Sequence, residues 1–403
     1  MRDTAEILDL YTSACSSSQK MVLATVVDVD GSAYRRPGAH LLITEDGRTA
    51  GSISAGCLES DILARHEELF DQQQSILLEY ENDELFGLNY GCDGTIYVLV
   101  QPVFPSQINF PKAFADANRF GRQLILATIY DCEDKSMIGK KLLASDGRIL
   151  TSELPPSIER HVGASLFEIE RLDRHQTRSF DEVSTKVFFQ IIKPTVRLII
   201  FGAGDDVIPL INTAKSIGIE VRLSDSRRSY LDRHSARAEV FQFNSQSTTT
   251  RSTASQNRSA CEMTDTDIEN IESSLFDAPE RTAVVIMSHN FELDKRFLKL
   301  ALKRNSAYLG IVGSRKRTEK LLTELNEMDS ARRIHYPIGL DLGSETAEEI
   351  ALAIVSEILA FFRNGSTRPL VEVSGAIHDK RTDIKRRNSQ LASISAARGF
   401  ADA

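Results

Sequence analysis

The chain has 403 residues, of which 41% are hydrophobic and 26% charged, and its formal net charge is −9. That length exceeds one ordinary core and implies two or three domains of a soluble globular protein. The acidic balance argues against nucleic acid as a main partner, and no apolar run is long enough to span a bilayer.

The N-terminus has the pattern of an acidic helix over about 3–17 rather than of a signal peptide. Met21–Val29 reads as a β-branched strand stopped by Gly31. The next stretch, Gly31-Ser-Ala-Tyr-Arg-Arg-Pro-Gly38, joins glycine turns to Arg35 and Arg36, either a solvated turn or an oxyanion-binding loop. Leu41–Thr44 and Thr49–Ile53 read as two strands around an Asp-Gly turn. A helix is expected after Cys57, because Leu58, Ile62, Leu63, His66, Leu69 and Phe70 fall on one face. Ser75–Tyr80 and Thr95–Gln101 are further strands, with Tyr90-Gly-Cys-Asp-Gly94 as a turn between them.

Gly51-Ser-Ile-Ser-Ala-Gly-Cys-Leu-Glu59 is the most informative segment. A thiol between small residues at a helix start meets unpaired backbone N–H groups and the positive end of the helix dipole, which favour thiolate. The same N–H groups suit a phosphate. Ser54, Gly56 and Cys57 thus offer a soft nucleophile or metal ligand beside an anion site; the alternative is a buried small residue at a tight turn. Cys92 is a candidate second thiol. Cys15, Cys132 and Cys261 lack such a setting, and without a Cys-x-x-Cys pair reduced thiols in the cytoplasm are expected.

Leu124–Tyr130 is a strand candidate. Lys141-Leu-Leu-Ala-Ser-Asp-Gly-Arg148 echoes His40-Leu-Leu-Ile-Thr-Glu-Asp-Gly-Arg48, which is either an internal duplication or two common hairpins.

Lys193-Pro194 marks a boundary. Beyond it, strands at Val196–Phe201, Glu220–Ser224, Glu239–Phe243, Arg281–Ser288 and Ala307–Val312 alternate with helical patterns, ending with a long helix at Thr346–Phe362. That alternation indicates a doubly wound parallel sheet. Gly202 and Gly204 open the first helix and Asp225 ends the next strand, as in dinucleotide folds, although Val207 replaces the third glycine. NAD(P) binding is therefore one expectation and a scaffold role the other. Gly313, Ser314 and Arg315, with Arg317, form a candidate anion cradle at a later helix start. His289 reads as a ligand or proton carrier, or as a structural histidine, and Asp294 and Asp341 are ambiguous in the same way. The Ser/Thr-rich stretch 244–265 and the tail from 366 read as disordered.

In order along the chain, these segments resemble the XdhC/CoxI accessory proteins of molybdenum hydroxylases such as xanthine dehydrogenase. The matching stretches include Leu23-Ala-Thr-Val-Val27, Gly31–Ala39, Gly51–Glu59, Gly91-Cys-Asp-Gly94, Phe201-Gly-Ala-Gly-Asp205, Asp225, Ser288-His289, Asp294, Gly313-Ser-Arg315, Pro337–Asp341 and Glu348–Ala351. The resemblance implies a mixed α/β XdhC/CoxI-like domain at 1–190 and a Rossmann-like domain at 195–365, followed by a tail at 366–403. It implies a chaperone more than a catalyst: a protein that transiently binds molybdenum cofactor and helps deliver its sulfurated form to an apoenzyme. Cys57 would be the metal ligand, and Ser54, Gly56, Arg35, Arg36, Cys92, Gly202, Gly204, Asp225, His289, Gly313, Ser314 and Arg315 would hold the cofactor with it. A cysteine desulfurase and a second copy of the chain are the other expected partners, and an NAD(P)-dependent oxidoreductase is the alternative. Ala55 and Asp93 depart from the family pattern by replacing glycines.

Overall fold

The computed structural model describes residues 2–31, 33–54, 56–65, 68, 70, 74–81, 94–243, 249–251 and 275–372. The chain divides into two compact units, Met1–Thr195 and Val196–Ala403.

The first unit begins with α1 (Arg2–Ser16), β1 (Met21–Asp30), β2 (His40–Thr44), β3 (Thr49–Gly51), α2 (Cys57–Ala64), β4 (Ile76–Tyr80) and β5 (Thr95–Pro102). It continues with α3 (Phe110–Phe120), β6 (Leu124–Cys132), β7 (Lys141–Ser145), β8 (Arg148–Ser152), α4 (Pro156–Leu172), β9 (Gln176–Phe180) and β10 (Thr185–Ile192). The strands form two five-stranded antiparallel sheets, ordered β3-β2-β1-β5-β4 and β8-β7-β6-β10-β9.

The two sheets are copies of one another, which decides between duplication and coincidence for the repeated Asp-Gly-Arg hairpin. Thr25 pairs with His40 on one side and Leu99 on the other, as Thr128 pairs with Lys141 and Phe188. Leu23 pairs with Gln101 as Leu126 pairs with Gln190. Each central strand carries one bulge, at Val27 in β1 and at the matching Tyr130 in β6. Bulges add local twist and redirect a side chain, and they persist where they matter to a fold.

Strand alternation sorts the side chains into layers. Val22, Ala24 and Val26 of β1 pack with Leu58 and Ile62 of α2, while Ile125, Ala127 and Ile129 of β6 pack with Ile158, Val162 and Leu166 of α4. The alternate residues Leu23 and Leu126 join a shared core that includes Ile7 of α1 and Phe110 and Phe114 of α3. Val27, Leu99, Tyr130 and Phe188 close a further cluster, with Tyr130 Oη donating to Asp28 Oδ2 at 2.9 Å. The sheets therefore face one another, with α2 and α4 on their outer sides.

In the second unit a six-stranded sheet has the order β14-β13-β12-β11-β15-β16. Its strands are β11 (Arg197–Phe201), β12 (Glu220–Asp225), β13 (Glu239–Phe243), β14 (Thr249–Arg251), β15 (Thr282–Ile286) and β16 (Tyr308–Ile311). All pairings are parallel except β13 with β14. The helices are α5 (Val207–Ser216), α6 (Arg228–His234), α7 (Phe291–Arg304), α8 (Arg315–Leu325) and α9 (Ala347–Arg363). Phe297, Leu298, Leu321 and Leu322 of α7 and α8 pack on Ile199, Phe201, Val284 and Ile286, and α9 packs against α5. This is the expected Rossmann-like, doubly wound α/β sheet.

Two local expectations need adjustment. The helix after Cys57 is described only to Ala64, so His66 and Leu69 of its expected face lie outside the described residues. The stretch 244–265 contains the edge strand β14, which its β-branched threonines favour. The rest of that stretch, and the tail from 373, also lie outside the described residues.

Candidate functional site

Gly51 turns out of β3 with φ +85°, and a Cβ there would lie 2.3 Å from the His40 carbonyl oxygen, so the position requires glycine. The chain then crosses Ser52-Ile53-Ser54, with Ile53 fully buried as an anchor, before α2 begins at Cys57. Gly56, at φ +119°, is the residue before the helix, and a Cβ added to it would meet nothing within 4 Å among the described residues. Cys57 is exposed in the first turn. The thiol is thus exposed at the surface.

Glu59 organises this loop. Its Oε1 accepts from Ser52 Oγ at 2.8 Å, the Ile53 amide at 2.9 Å and the Ser54 amide at 2.7 Å. Its Oε2 accepts from the Gly56 amide at 3.0 Å and from Ser54 Oγ. Ser54 Oγ also accepts from the amides of Gly56 (3.1 Å) and Leu58 (3.2 Å). Burial pushes the Glu59 carboxyl up, but the Ser54 hydroxyl and amide and the Ser52 hydroxyl outweigh it and hold the group down at about 2. The Glu59 carboxylate thus takes the Ile53, Ser54 and Gly56 amides, and the Ser54 hydroxyl takes the Leu58 amide, leaving fewer backbone donors for a phosphate than the sequence offered. What remains on display is the sulfur. Glu59 escaped the sequence reading as a site residue; its signal was a glutamate three places after a helix N-cap, the capping-box spacing.

Of the other residues expected here, Arg35 pairs through Nη2 with Asp3 Oδ2 of α1 at 2.6 Å, and Arg36 is exposed on the β1–β2 loop. Cys92 lies outside the described residues. Among the described residues no group of three or more His, Cys, Asp or Glu side chains is arranged to hold a metal ion. Cys132 is buried beside Thr185 Oγ1 at 3.3 Å, and Cys15 is half-buried.

The duplicated half provides an internal comparison for the Cys57 loop. The β8–α4 connection occupies the place of the β3–α2 connection, and there the chain runs Glu153-Leu-Pro-Pro156 into the helix. Proline has no N–H, so that helix start has lost donors the first copy retains.

In the second unit the expected residues gather at the carboxyl edge of the sheet, where open α/β sheets bind ligands. Several of them are already bonded to neighbouring protein groups. Gly202 has φ +116°, and a Cβ there would lie 2.6 Å from the Met287 carbonyl oxygen. Close packing against Met287 by itself therefore requires glycine here. Asp225 is fully buried; its Oδ2 accepts from the Ala203 amide and Arg227 Nη2, both at 2.7 Å, and its Oδ1 from Arg227 N at 2.8 Å and Nε at 3.0 Å. Burial raises its carboxyl, and the Arg227 and Ala203 bonds overcome that to lower it. Gly204 precedes Asp205 and Asp206, and Asp206 Oδ2 meets His289 Nε2 at 2.7 Å. His289 has φ +57°, an uncommon conformation for a residue with a side chain.

Ser314 caps α8 by accepting from the Arg317 amide at 3.3 Å, after Gly313 at φ +138°. Arg317 Nη1 pairs with the buried Asp294 at 2.6 Å, and Ser288 Oγ donates to the same carboxylate at 2.5 Å. Arg315 lies over the Tyr336 ring, 5.7 Å from its centroid. The structure thus brings Gly202, Gly204, Asp225, His289, Gly313, Ser314 and Arg315 to one edge, with Asp225 bonded to Ala203 and Arg227, His289 to Asp206 and Ser314 to Arg317.

Two family models match the chain: the XdhC and CoxI family over residues 14–81, and the XdhC Rossmann domain over residues 198–358. A relative from Bacillus subtilis (strain 168), whose name describes a probable subunit of xanthine dehydrogenase, is 31% identical over 350 residues, covering 85% of this chain and 93% of the relative. The molybdenum cofactor insertion chaperone PaoD of Escherichia coli (strain K12) is 22% identical over 361 residues, covering 88% of each. A crystal structure from Bacillus halodurans, described as a xanthine dehydrogenase, has the same fold, with a TM-score of 0.63 and 24% identity over 90% of this chain and 98% of that one. Motif order, the two-unit fold and similarity along nearly the whole length place this chain in the XdhC and CoxI family.

Proposed function

We propose that this protein is an accessory factor that binds molybdenum cofactor in transit and assists its maturation and insertion into a xanthine-dehydrogenase-type hydroxylase. Cys57 is the protein ligand to the metal end of the cargo. The observation that carries this reading is the exposed Cys57 thiol at the head of α2, beside the open space at Gly56. A thiolate suits a soft, dithiolene-bound metal. A single thiolate ligand also suits cargo that must be released again. The full-length similarity to a chaperone named for cofactor insertion supports the same role.

Within this role, Glu59 and Ser54 hold the loop so that the sulfur is presented, and Gly56 leaves room for a bulky group. Their bonds take up the Gly56 and Leu58 amides, so the phosphate end of the cargo is assigned to other donors. Arg36, exposed on the β1–β2 loop, is the candidate cation. The partners are an apo-hydroxylase and, for sulfuration, a cysteine desulfurase as persulfide donor. The oxidoreductase alternative loses support because both oxygens of Asp225 are already bound within the protein.

The test is co-elution of molybdenum cofactor with the purified full chain and with Cys57→Ala and Cys132→Ala. Retention by the protein and by Cys132→Ala, with most of it lost in Cys57→Ala, is expected. Full retention by Cys57→Ala removes the thiol from the mechanism.

A further inference from the structure

Helix α9 is committed to the second unit on its inner side and one flank. Ala351, Ile354, Val355 and Ile358 are buried, and the helix packs against α5. On the flank, Glu357 Oε2 accepts from the Gly339 amide at 2.6 Å, and Oε1 meets His335 Nδ1 at 2.6 Å. One turn earlier, the Ala353 carbonyl accepts from the Leu340 amide at 3.2 Å. The outward side carries Glu348, Leu352, Leu359 and Arg363, whose spacing along a helix sets them in one stripe. Leu352 is 53% exposed, Leu359 is half-buried, and Glu348 and Arg363 are exposed. Helix capping falls to Glu349, which accepts from the Thr346 amide at 2.9 Å, so Glu348 is left outside the cap.

Single exposed leucines are ordinary on a protein surface and call for no cover. The order of this stripe is what sets it apart. Along the helix it runs acid, leucine, leucine, base, and its reverse is its own complement. Glu348 lies as far before the midpoint between Val355 and Ser356 as Arg363 lies after it, and Leu352 as far before as Leu359 after. A second α9 laid antiparallel over that midpoint therefore sets leucine on leucine and, in the same register, acid on base at both ends. A parallel copy sets acid on acid and base on base. The helix macrodipoles favour the antiparallel arrangement as well. Ser356, half-buried between the leucines, is small enough to let two helices approach.

We propose that the outer face of α9 pairs with a second copy of the chain, antiparallel across a two-fold axis that passes the helix between Val355 and Ser356. The interface is isologous, so each contact off the axis occurs twice. Leu352 and Leu359 form its apolar centre, and the Glu348–Arg363 pairs close both ends. The 17-residue helix is about 25 Å long. One such helix pair is small beside standard protein interfaces, so the dimer is reversible and gives way to monomer on dilution.

Sedimentation equilibrium of the full chain over a range of concentrations tests this. A monomer–dimer equilibrium is expected for the wild type, and its loss in Leu352→Asp. Glu348→Arg and Arg363→Glu each set like charges against one another at both ends, and each is expected to raise the dissociation constant about tenfold. The double variant, Glu348→Arg with Arg363→Glu, restores opposite charges across the axis and is expected to return to the wild-type constant. That rescue separates an interface effect from misfolding, which a second charge reversal does not repair. A wild type that stays monomeric at every concentration overturns the proposal. So does a dimer that Leu352→Asp leaves intact, or a double variant that associates no better than the single ones.

Discussion

Glu59 Oε2 accepts the Gly56 amide at 3.0 Å, fixing the residue that immediately precedes the exposed Cys57. The same carboxylate gathers the amides of Ile53 and Ser54. The folded Glu59 is held at about 2 against its ordinary 4.5, so its contribution is present above about 4.5 and lost as pH falls toward 2. With a discount for partial exposure, that loss is roughly 1–2 kcal/mol. Urea unfolding at pH 5 and pH 2.5 is expected to show this step in the wild type and a smaller one in Glu59→Gln. Alkylation of Cys57 at pH 7 is expected to change rate in Glu59→Gln, because the loop that presents the sulfur loses its anchor. An unchanged rate and an unchanged acid step together show that Glu59 does not position the loop.

His40 produces a second pH dependence, at higher pH. Its folded value of about 3, set by burial first, lies below its ordinary 6.5. Between these values the unfolded chain binds a proton that the folded chain does not. Stability is therefore complete above about 6.5 and falls as pH drops, by up to about 1.4 kcal/mol per pH unit. The window from pH 6.5 to 5 lies above the Glu59 step and separates the two groups. His40→Gln, which retains hydrogen bonding but cannot titrate, is expected to flatten that part of the curve. The same slope in variant and wild type assigns the effect to another group.

The sequence announced these two devices unequally, and the reasons are local. Cys57 was legible because glycine and serine punctuation before an amphipathic run marks a helix start. The Rossmann alternation was legible because doubly buried strands such as Leu198–Phe201 are continuously apolar. The duplication was visible only as the Leu-Leu…Asp-Gly-Arg echo. Its proof lies in register: Thr25 facing His40 and Leu99 as Thr128 faces Lys141 and Phe188. Strand register is a tertiary property that residue identity alone does not state. The matched burial of Gln101 and Gln190 stayed hidden for the same reason, since each is a single polar residue in a separate apolar strand. At the carboxyl edge the glycines and acids were found, but not that Gly202 faces Met287, which is remote in sequence, or that Asp225 bonds Arg227, because an arginine two places on does not by itself show whether it turns back onto the acid.

Gly202 yields a prediction that separates packing from phosphate binding. A Cβ at this position meets the Met287 carbonyl oxygen at 2.6 Å and Ser288 Cα at 2.7 Å, on a backbone with φ +116°. Gly202→Ala is expected to destabilise the second unit by roughly 2–4 kcal/mol, from backbone strain and overpacking together. Denaturant unfolding of the variant without any added ligand measures it. A loss below about 0.5 kcal/mol, the range of ordinary surface changes, shows that the close approach to Met287 is relaxed at little cost.

Asp225 gives the most direct test of what the carboxyl edge is for. Its carboxylate is fully buried and bonded to the Ala203 amide, the Arg227 amide and the Arg227 guanidinium. Removing it in Asp225→Ala leaves the Ala203 amide without its acceptor beneath the glycine turn, and frees Arg227, whose guanidinium lies 3.9 Å from the Tyr230 ring centroid. A loss of roughly 2–3 kcal/mol is expected from the missing charge-assisted bonds. Asp225→Asn, which keeps one acceptor oxygen, is expected to lose less. The cost should appear in unfolding experiments with no nucleotide present, and NAD or NADP at millimolar concentration should leave the wild-type Tm unchanged. A variant as stable as the wild type, paired with a wild-type protein whose Tm rises on adding dinucleotide, would reverse the assignment: the carboxylate would then be exchanging Arg227 for a ribose, and the edge would be a nucleotide site after all.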